Sequence, residues 1–102
     1  MGGAVLVSRT GEQYGDRFAL VAGSTNIGRH PQSDIPLDDI TVSRRHAQVI
    51  FHEGLYKVRD VGSLNGTYVN QQRVDEVVLS HGDELQIGKF RLVFFDRTVD
   101  NA

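Results

Sequence analysis

The chain has 102 residues, 39% of them hydrophobic and 24% charged, which leaves room for one core and is too apolar for wholesale disorder. A formal net charge of -2 argues against general binding to nucleic acid or to an anionic membrane, so any anion site must be local. Cysteine is absent, which excludes disulfides, thiolate nucleophiles and sulfur-ligated zinc and fits a cytoplasmic protein.

Met1-Gly2-Gly3 leads straight into the first extended segment, residues 4–8, so no signal peptide is expected ahead of it. Further extended segments follow at 17–21, 25–28, 46–51, 56–60, 67–69, 77–79, 84–87 and 90–95, filled with Val, Ile, Phe, Tyr and Thr. Gly11, Gly15, Gly23, Pro31, Pro36, Gly54, Gly62, Asn65-Gly66 and Gly82-Asp83 punctuate them as turns. No window carries a helical repeat, and no apolar run approaches the roughly 20 residues that span a bilayer. Many short strands at close spacing predict one all-β domain over residues 4–95, a sandwich of antiparallel sheets. Residues 1–3 and 96–102 are expected to be short flexible termini.

Period-two alternation assigns some faces. Ala47, Val49 and Phe51 share one side of a strand, with Gln48 and His52 on the other. Near the end, Leu85 and Ile87 are apolar at odd positions, whereas Phe90, Leu92 and Phe94 are apolar at even ones. A strict period of two cannot flip its phase without a turn or bulge, so Gly88-Lys89 predicts a tight hairpin.

Three pieces fall at junctions between strands, where packing does not account for them. Arg29 follows Gly28, whose lack of a side chain lets the backbone turn or approach closely; its planar guanidinium can grip two phosphate oxygens at once. Ser43 precedes Arg44, Arg45 and His46 at a strand entrance, where a hydroxyl and an amide can donate to an anion and Arg44 can add charge. Arg45 alternates away from Arg44, so one of the two serves the fold or the solvent. The third piece is the run from Gly62 to Asn70, with Asn65-Gly66 at its centre. The Asn65 amide offers both a donor and an acceptor and can hold the backbone of an extended peptide. Ser63 either donates to a phosphate or stiffens the loop, while Thr67 and Asn70 hold the hairpin with Gly66. A phosphorylated side chain, with about -1.5 to -2 charges and three strong acceptor oxygens, suits such a set of donors.

Enzymatic chemistry finds no support. Ser43 and His46 lie together without a glycine elbow or an acid at a suitable spacing, so His46 is read as a hydrogen-bonding brace for its loop. His30, His52 and His81 lack metal-ligand spacing, and neither a phosphate-binding loop nor a dinucleotide fingerprint occurs. No cofactor and no metal are expected.

In order and spacing, Gly28-Arg29, Ser43 with His46, and Asn65-Gly66 resemble the forkhead-associated (FHA) domain, over nearly the whole chain from Val5 to Phe95. The resemblance implies a β-sandwich of about eleven strands with ligand loops at one end. It also implies phosphate contacts from Arg29, Ser43 and Arg44, with Asn65 on the peptide backbone. Within that family, stretches such as Thr41-Val42-Ser43-Arg44-Arg45-His46 and Gly82-Asp83-Glu84-Leu85-Gln86-Ile87 look like the actinobacterial glycogen accumulation regulators. That likeness implies a serine/threonine protein kinase as partner and control of metabolic enzymes around 2-oxoglutarate, oxoglutarate dehydrogenase among them. The leading expectation is a monomeric, cytoplasmic phosphothreonine-dependent interaction module. The alternative is phosphate-independent docking of folded partners on the same loops.

Overall fold

The computed structural model describes residues 3–97. Eleven strands fill it: β1 (Ala4–Ser8), β2 (Arg17–Leu20), β3 (Gly23–Gly28), β4 (Ile35–Pro36), β5 (Ala47–His52), β6 (Leu55–Asp60), β7 (Thr67–Val69), β8 (Gln72–Val74), β9 (Glu76–Val78), β10 (Glu84–Ile87) and β11 (Phe90–Asp96). The one helical element among the described residues is a short 3-10 turn, Gly11–Gln13. The strands form two sheets, β2-β1-β11-β10-β7-β8 and β4-β3-β5-β6-β9, each antiparallel except for the β3–β4 pair. Residues 1–2 and 98–102, parts of the termini expected to be flexible, lie outside the described residues; β11 runs on to Asp96, and Arg97 N–H donates to the Gly3 carbonyl.

Alternation builds the core. Ala47 and Val49 of β5 and Val58 of β6 point inward from one sheet, and Leu85, Ile87, Leu92 and Phe94 meet them from the other. Each Val, Leu, Ile or Phe among them contributes about 1.5–3 kcal/mol on leaving water. Tyr56 stacks between Phe51 and Phe94, with ring centroids 4.4 and 5.3 Å away. Leu37 and Val42, from the long β4–β5 connection, are also fully buried, so the loop that carries the site is rooted in the core.

The hairpin expected at Gly88-Lys89 is present: Ile87 pairs with Phe90, and a positive φ at Gly88 (57°) turns the chain in two residues. Two strands escaped the sequence reading. β4 is only two residues long, and β8 (Gln-Arg-Val) shows no alternation. β8 exists because Asn70 and Gln71 both adopt positive φ (50° and 71°), the geometry of a two-residue type I′ hairpin, and Val69 then pairs with Gln72. β9 begins one residue before the expected 77–79 segment, and Leu79 follows it as a buried anchor whose N–H donates to the Tyr56 carbonyl.

Candidate functional site

The end of β3 presses directly on the loop before β5. A side chain at Gly28 would overlap the carbonyl of Arg44, so only glycine allows the approach. The contact is locked by backbone bonds: Arg29 N–H donates to Ser43 O at 2.9 Å, and His46 N–H donates to Ile27 O at 3.0 Å. The half-buried Arg29 side chain is then pinned through Nε, which donates to Val42 O at 3.0 Å. Its two terminal nitrogens make no hydrogen bond or ion pair among the described residues, so a planar cation is oriented and left without a counter-ion.

Ser43 sits beside it. Its amide donates to His46 Nδ1 at 3.1 Å, and its Oγ accepts from Leu64 N–H at 3.0 Å. The amide expected to face an anion is therefore engaged internally, while the hydroxyl hydrogen stays available to a ligand. His46 is completely buried, and its Nε2 donates to the Gly66 carbonyl at 2.8 Å. With Nδ1 accepting and Nε2 donating, the ring is held in one tautomer and bridges the loop before β5 to the loop after β6.

The loop after β6 is organised around Asp60. One carboxylate oxygen accepts from the hydroxyls of Ser63 and Thr67, the latter at 2.7 Å; the other accepts from the amides of Gly62 and Ser63 at 3.0 and 3.2 Å. Burial pushes this carboxyl up, but the four hydrogen bonds outweigh burial and hold it below the usual carboxylate range. Ser63 Oγ also accepts from Gly66 N–H at 2.9 Å, so its hydroxyl stiffens the loop and has no hydrogen left to give. Thr67 is fully buried; Asn70 Nδ2 donates to Asp83 at 2.9 Å, and Asn70 Oδ1 accepts from Glu84 N–H at 3.0 Å, which fastens the β7–β8 hairpin to β10.

Asn65 is exposed at the loop tip and donates through Nδ2 to Thr41 O at 3.0 Å, leaving one N–H and its carbonyl oxygen free for a peptide backbone. Thr41 is itself a junction. Its hydroxyl donates to Asp39 Oδ2 at 2.6 Å and accepts from Lys89 N–H at 2.9 Å, and Lys89 Nζ pairs with Asp39 Oδ1 at 3.0 Å. Hydrogen bonds from the Thr41 hydroxyl and amide, with Lys89, lower the Asp39 carboxyl to about 2. A cleft of about 420 Å³ opens next to this junction, lined by Thr41, Asn65, Tyr68, Gln71, Gln86 and Lys89 among others.

Of the residues singled out in the sequence, Arg29, Ser43 and Asn65 are thus drawn to one end of the sandwich, on loops bonded to each other. Arg44 is exposed there, and its guanidinium makes no hydrogen bond or ion pair among the described residues. Arg45 turns away, into shallow depressions shared with Asn26 and Ser33. Asp39, Thr41, Asp60 and Lys89 were missed. The available signal was an Asx turn, an Asp whose carboxylate caps the amide two residues on: Asp39 with Thr41, and Asp60 with Gly62. Among the described residues no cluster of three or more His, Asp or Glu is placed to hold a metal ion.

Comparison with known proteins supplies a context for this arrangement. The model of the FHA domain family matches residues 25–88. The glycogen accumulation regulator GarA of Mycolicibacterium smegmatis is 60% identical over 93 residues, covering 91% of this chain and 59% of the relative. An oxoglutarate dehydrogenase inhibitor of Corynebacterium efficiens is 59% identical over 93 residues, covering 91% of this chain and 66% of the relative. The chain therefore spans about three fifths of the length of these relatives, whose names are those of regulators and inhibitors. Among solved structures, EmbR of Mycobacterium tuberculosis in complex with a low-affinity phosphopeptide superposes with a TM-score of 0.86 at 32% identity, covering 93% of this chain and 24% of that one. A structure from work on phosphothreonine-dependent FHA domain interactions superposes with a TM-score of 0.85 at 31% identity, covering 91% and 95%.

Proposed function

Because this chain belongs to the FHA domain family, we propose that it recognises phosphothreonine in an extended segment of a partner protein. The observation that carries the reading is Arg29: a half-buried guanidinium, fixed through Nε and lacking an acid, beside a serine hydroxyl with its hydrogen free. The terminal N–H groups of Arg29 grip two phosphate oxygens, Ser43 donates to the third, and Arg44 adds charge from the rim. Asn65 holds the partner's backbone next to the phosphoresidue. Ser63 acts from behind, by shaping the loop through Asp60 and Gly66. Charge-assisted bonds contribute about 1.5–3 kcal/mol each, so three or four bring a flexible peptide to about micromolar affinity once its ordering is offset.

The name of one relative, an oxoglutarate dehydrogenase inhibitor, supports oxoglutarate dehydrogenase or a related metabolic enzyme as the regulated protein; a serine/threonine kinase is the partner that the phosphothreonine mark itself requires as its writer. The domain works in the cytoplasm as a monomeric reader without catalytic activity of its own.

The test is a fluorescence titration of one peptide carrying threonine, phosphothreonine or phosphoserine. Binding confined to the phosphothreonine form and lost in Arg29→Ala supports the reading. Equal binding of the unmodified form would transfer the same loops to phosphate-independent docking.

A further inference from the structure

We propose that Asn65 and Gly66 form a self-modification site held shut by the loop around it, at which conversion of Asn65 to aspartate or isoaspartate ends phosphothreonine recognition. The site and its gating stand apart from the phosphothreonine reading; the consequence for binding rests on it.

Of the asparagines in the chain, Asn65 alone is followed by glycine. Asn-Gly is the pair most prone to cyclise, because glycine neither shields its own nitrogen nor restricts rotation of the peptide. The deprotonated Gly66 nitrogen adds to Asn65 Cγ, the Cγ–Nδ2 bond breaks, and ammonia leaves with the proton. Water then opens the cyclic imide at either carbonyl and leaves aspartate or isoaspartate. Asn65 is exposed, so water and base reach it.

The structure opposes each movement that this step requires. The Gly66 nitrogen must lose its proton and turn toward Cγ, yet its N–H donates to Ser63 Oγ at 2.9 Å. Ser63 Oγ is itself held by Asp60. The Gly66 carbonyl must swing with the peptide plane, yet it accepts from the buried His46 ring at 2.8 Å. Arg73 of β8 covers the same glycine: a Cβ there would come within 2.8 Å of Arg73 Nε. Across the bond to be formed, Asn65 Nδ2 donates to Thr41 O at 3.0 Å, which keeps the leaving nitrogen on the loop before β5. The bonds that aim Asn65 at a ligand therefore also keep it from closing on Gly66. Cyclisation is confined to moments when the loop opens locally.

Conversion damages the site twice. The new carboxylate cannot donate to Thr41 O, and its charge repels the phosphate bound beside it. Isoaspartate also lengthens the backbone ahead of Gly66 and displaces the loop.

The test incubates wild type, Ser63→Ala, Leu6→Ala and a synthetic peptide of residues 60–73 in parallel, in mildly alkaline buffer below the melting temperature of each variant. Conversion is followed by mass in the tryptic fragment from Asp60 to Arg73, with fragmentation separating Asn65 from Asn70. Leu6→Ala removes a fully buried side chain from β1, which pairs with neither β6 nor β7, and so controls for global destabilisation. The peptide is expected to convert at least about tenfold faster than the wild type, because the folded loop is open for only a small fraction of the time. Ser63→Ala is expected to gain about threefold or more over wild type, and Leu6→Ala to stay within about twofold of it. A wild-type rate equal to the peptide's, or a Ser63→Ala rate no faster than that of Leu6→Ala, overturns the gating. Converted wild type, separated by anion exchange, is expected to bind a phosphothreonine peptide at least about tenfold more weakly than the unconverted protein. Equal affinity overturns the consequence for binding. Fresh wild type that binds no phosphothreonine peptide overturns the phosphothreonine reading and that consequence with it, while the mass measurement still decides the gating.

Discussion

Asn65 donates its side-chain amide to the carbonyl of Thr41 at 3.0 Å, across 24 residues of sequence, and so ties the loop after β6 to the loop before β5. In the proposed reading Asn65 has two tasks: one N–H holds the frame, and the remaining donor and acceptor face the ligand. Replacing Asn65 by Ala deletes an exposed hydrogen bond, so the stability loss is about 0.5–1.5 kcal/mol. Phosphopeptide affinity should fall further, by about tenfold or more, because the loop loses its position and the peptide its clamp. Asn65→Asp should bind more weakly still, since a carboxylate cannot donate to Thr41 and repels the phosphate. An Asp variant that binds phosphopeptide better than the Ala variant would remove Asn65 from the site.

His46 differs in kind, being fully buried with both ring nitrogens engaged. His46→Ala leaves the Ser43 amide and the Gly66 carbonyl unpaired in the interior and opens a cavity between the two site loops. The expected loss is about 2–4 kcal/mol. At about 4–8 °C per kcal/mol for a domain of this size, the melting temperature should fall by about 8 °C or more. An unchanged melting temperature would contradict the bracing role.

The sheet was legible in the sequence wherever one face of a strand is buried. β5 and β11 show period two because core residues alternate with solvent, and the phase flip at Gly88 located the β10–β11 hairpin correctly. β4 and β8 carry no such signal. The first is two residues long, and the second owes its existence to left-handed geometry at Asn70 and Gln71, where no glycine advertises the turn. The same division holds at the candidate site. Donors on the surface, such as Arg29 and Asn65, stand out by residue type and position. The groups that hold them, Asp39, Thr41 and Asp60, look like ordinary turn residues, because their long-range partners cannot be inferred from local chemistry.

Gly28 tests the close approach of β3 to the loop before β5. The added methyl in Gly28→Ala would meet a backbone carbonyl, that of Arg44, which cannot rotate away as a side chain would. The two segments must separate, weakening the bonds from Arg29 N–H to Ser43 and from His46 N–H to Ile27. Overpacking of this kind costs about 1–3 kcal/mol. Because the shift moves Arg29 relative to Ser43, phosphopeptide binding should drop even at temperatures where the variant is fully folded. Isothermal titration well below its melting temperature checks this; wild-type affinity there would mean that the contact serves stability alone.

The junction at Asp39 gives the module a defined response to acid. The Thr41 hydroxyl and amide and the Lys89 ammonium hold its carboxyl at about 2, down from an ordinary 3.8. A folded-state value below the unfolded one means that the ionised group favours the folded chain. That contribution is complete above about pH 4 and is lost as the pH falls toward 2. Asp60, lowered in the same direction by its own hydrogen bonds, adds to the loss on acidification. Asp39→Asn keeps the shape and removes the charge, so the wild type should melt higher than the variant near pH 7. The gap should stay level down to about pH 5 and close between about 4 and 2. A gap that persists at pH 2 would place the stabilisation in hydrogen-bond geometry rather than in the carboxylate charge, and Lys89 would then be a bystander at the junction.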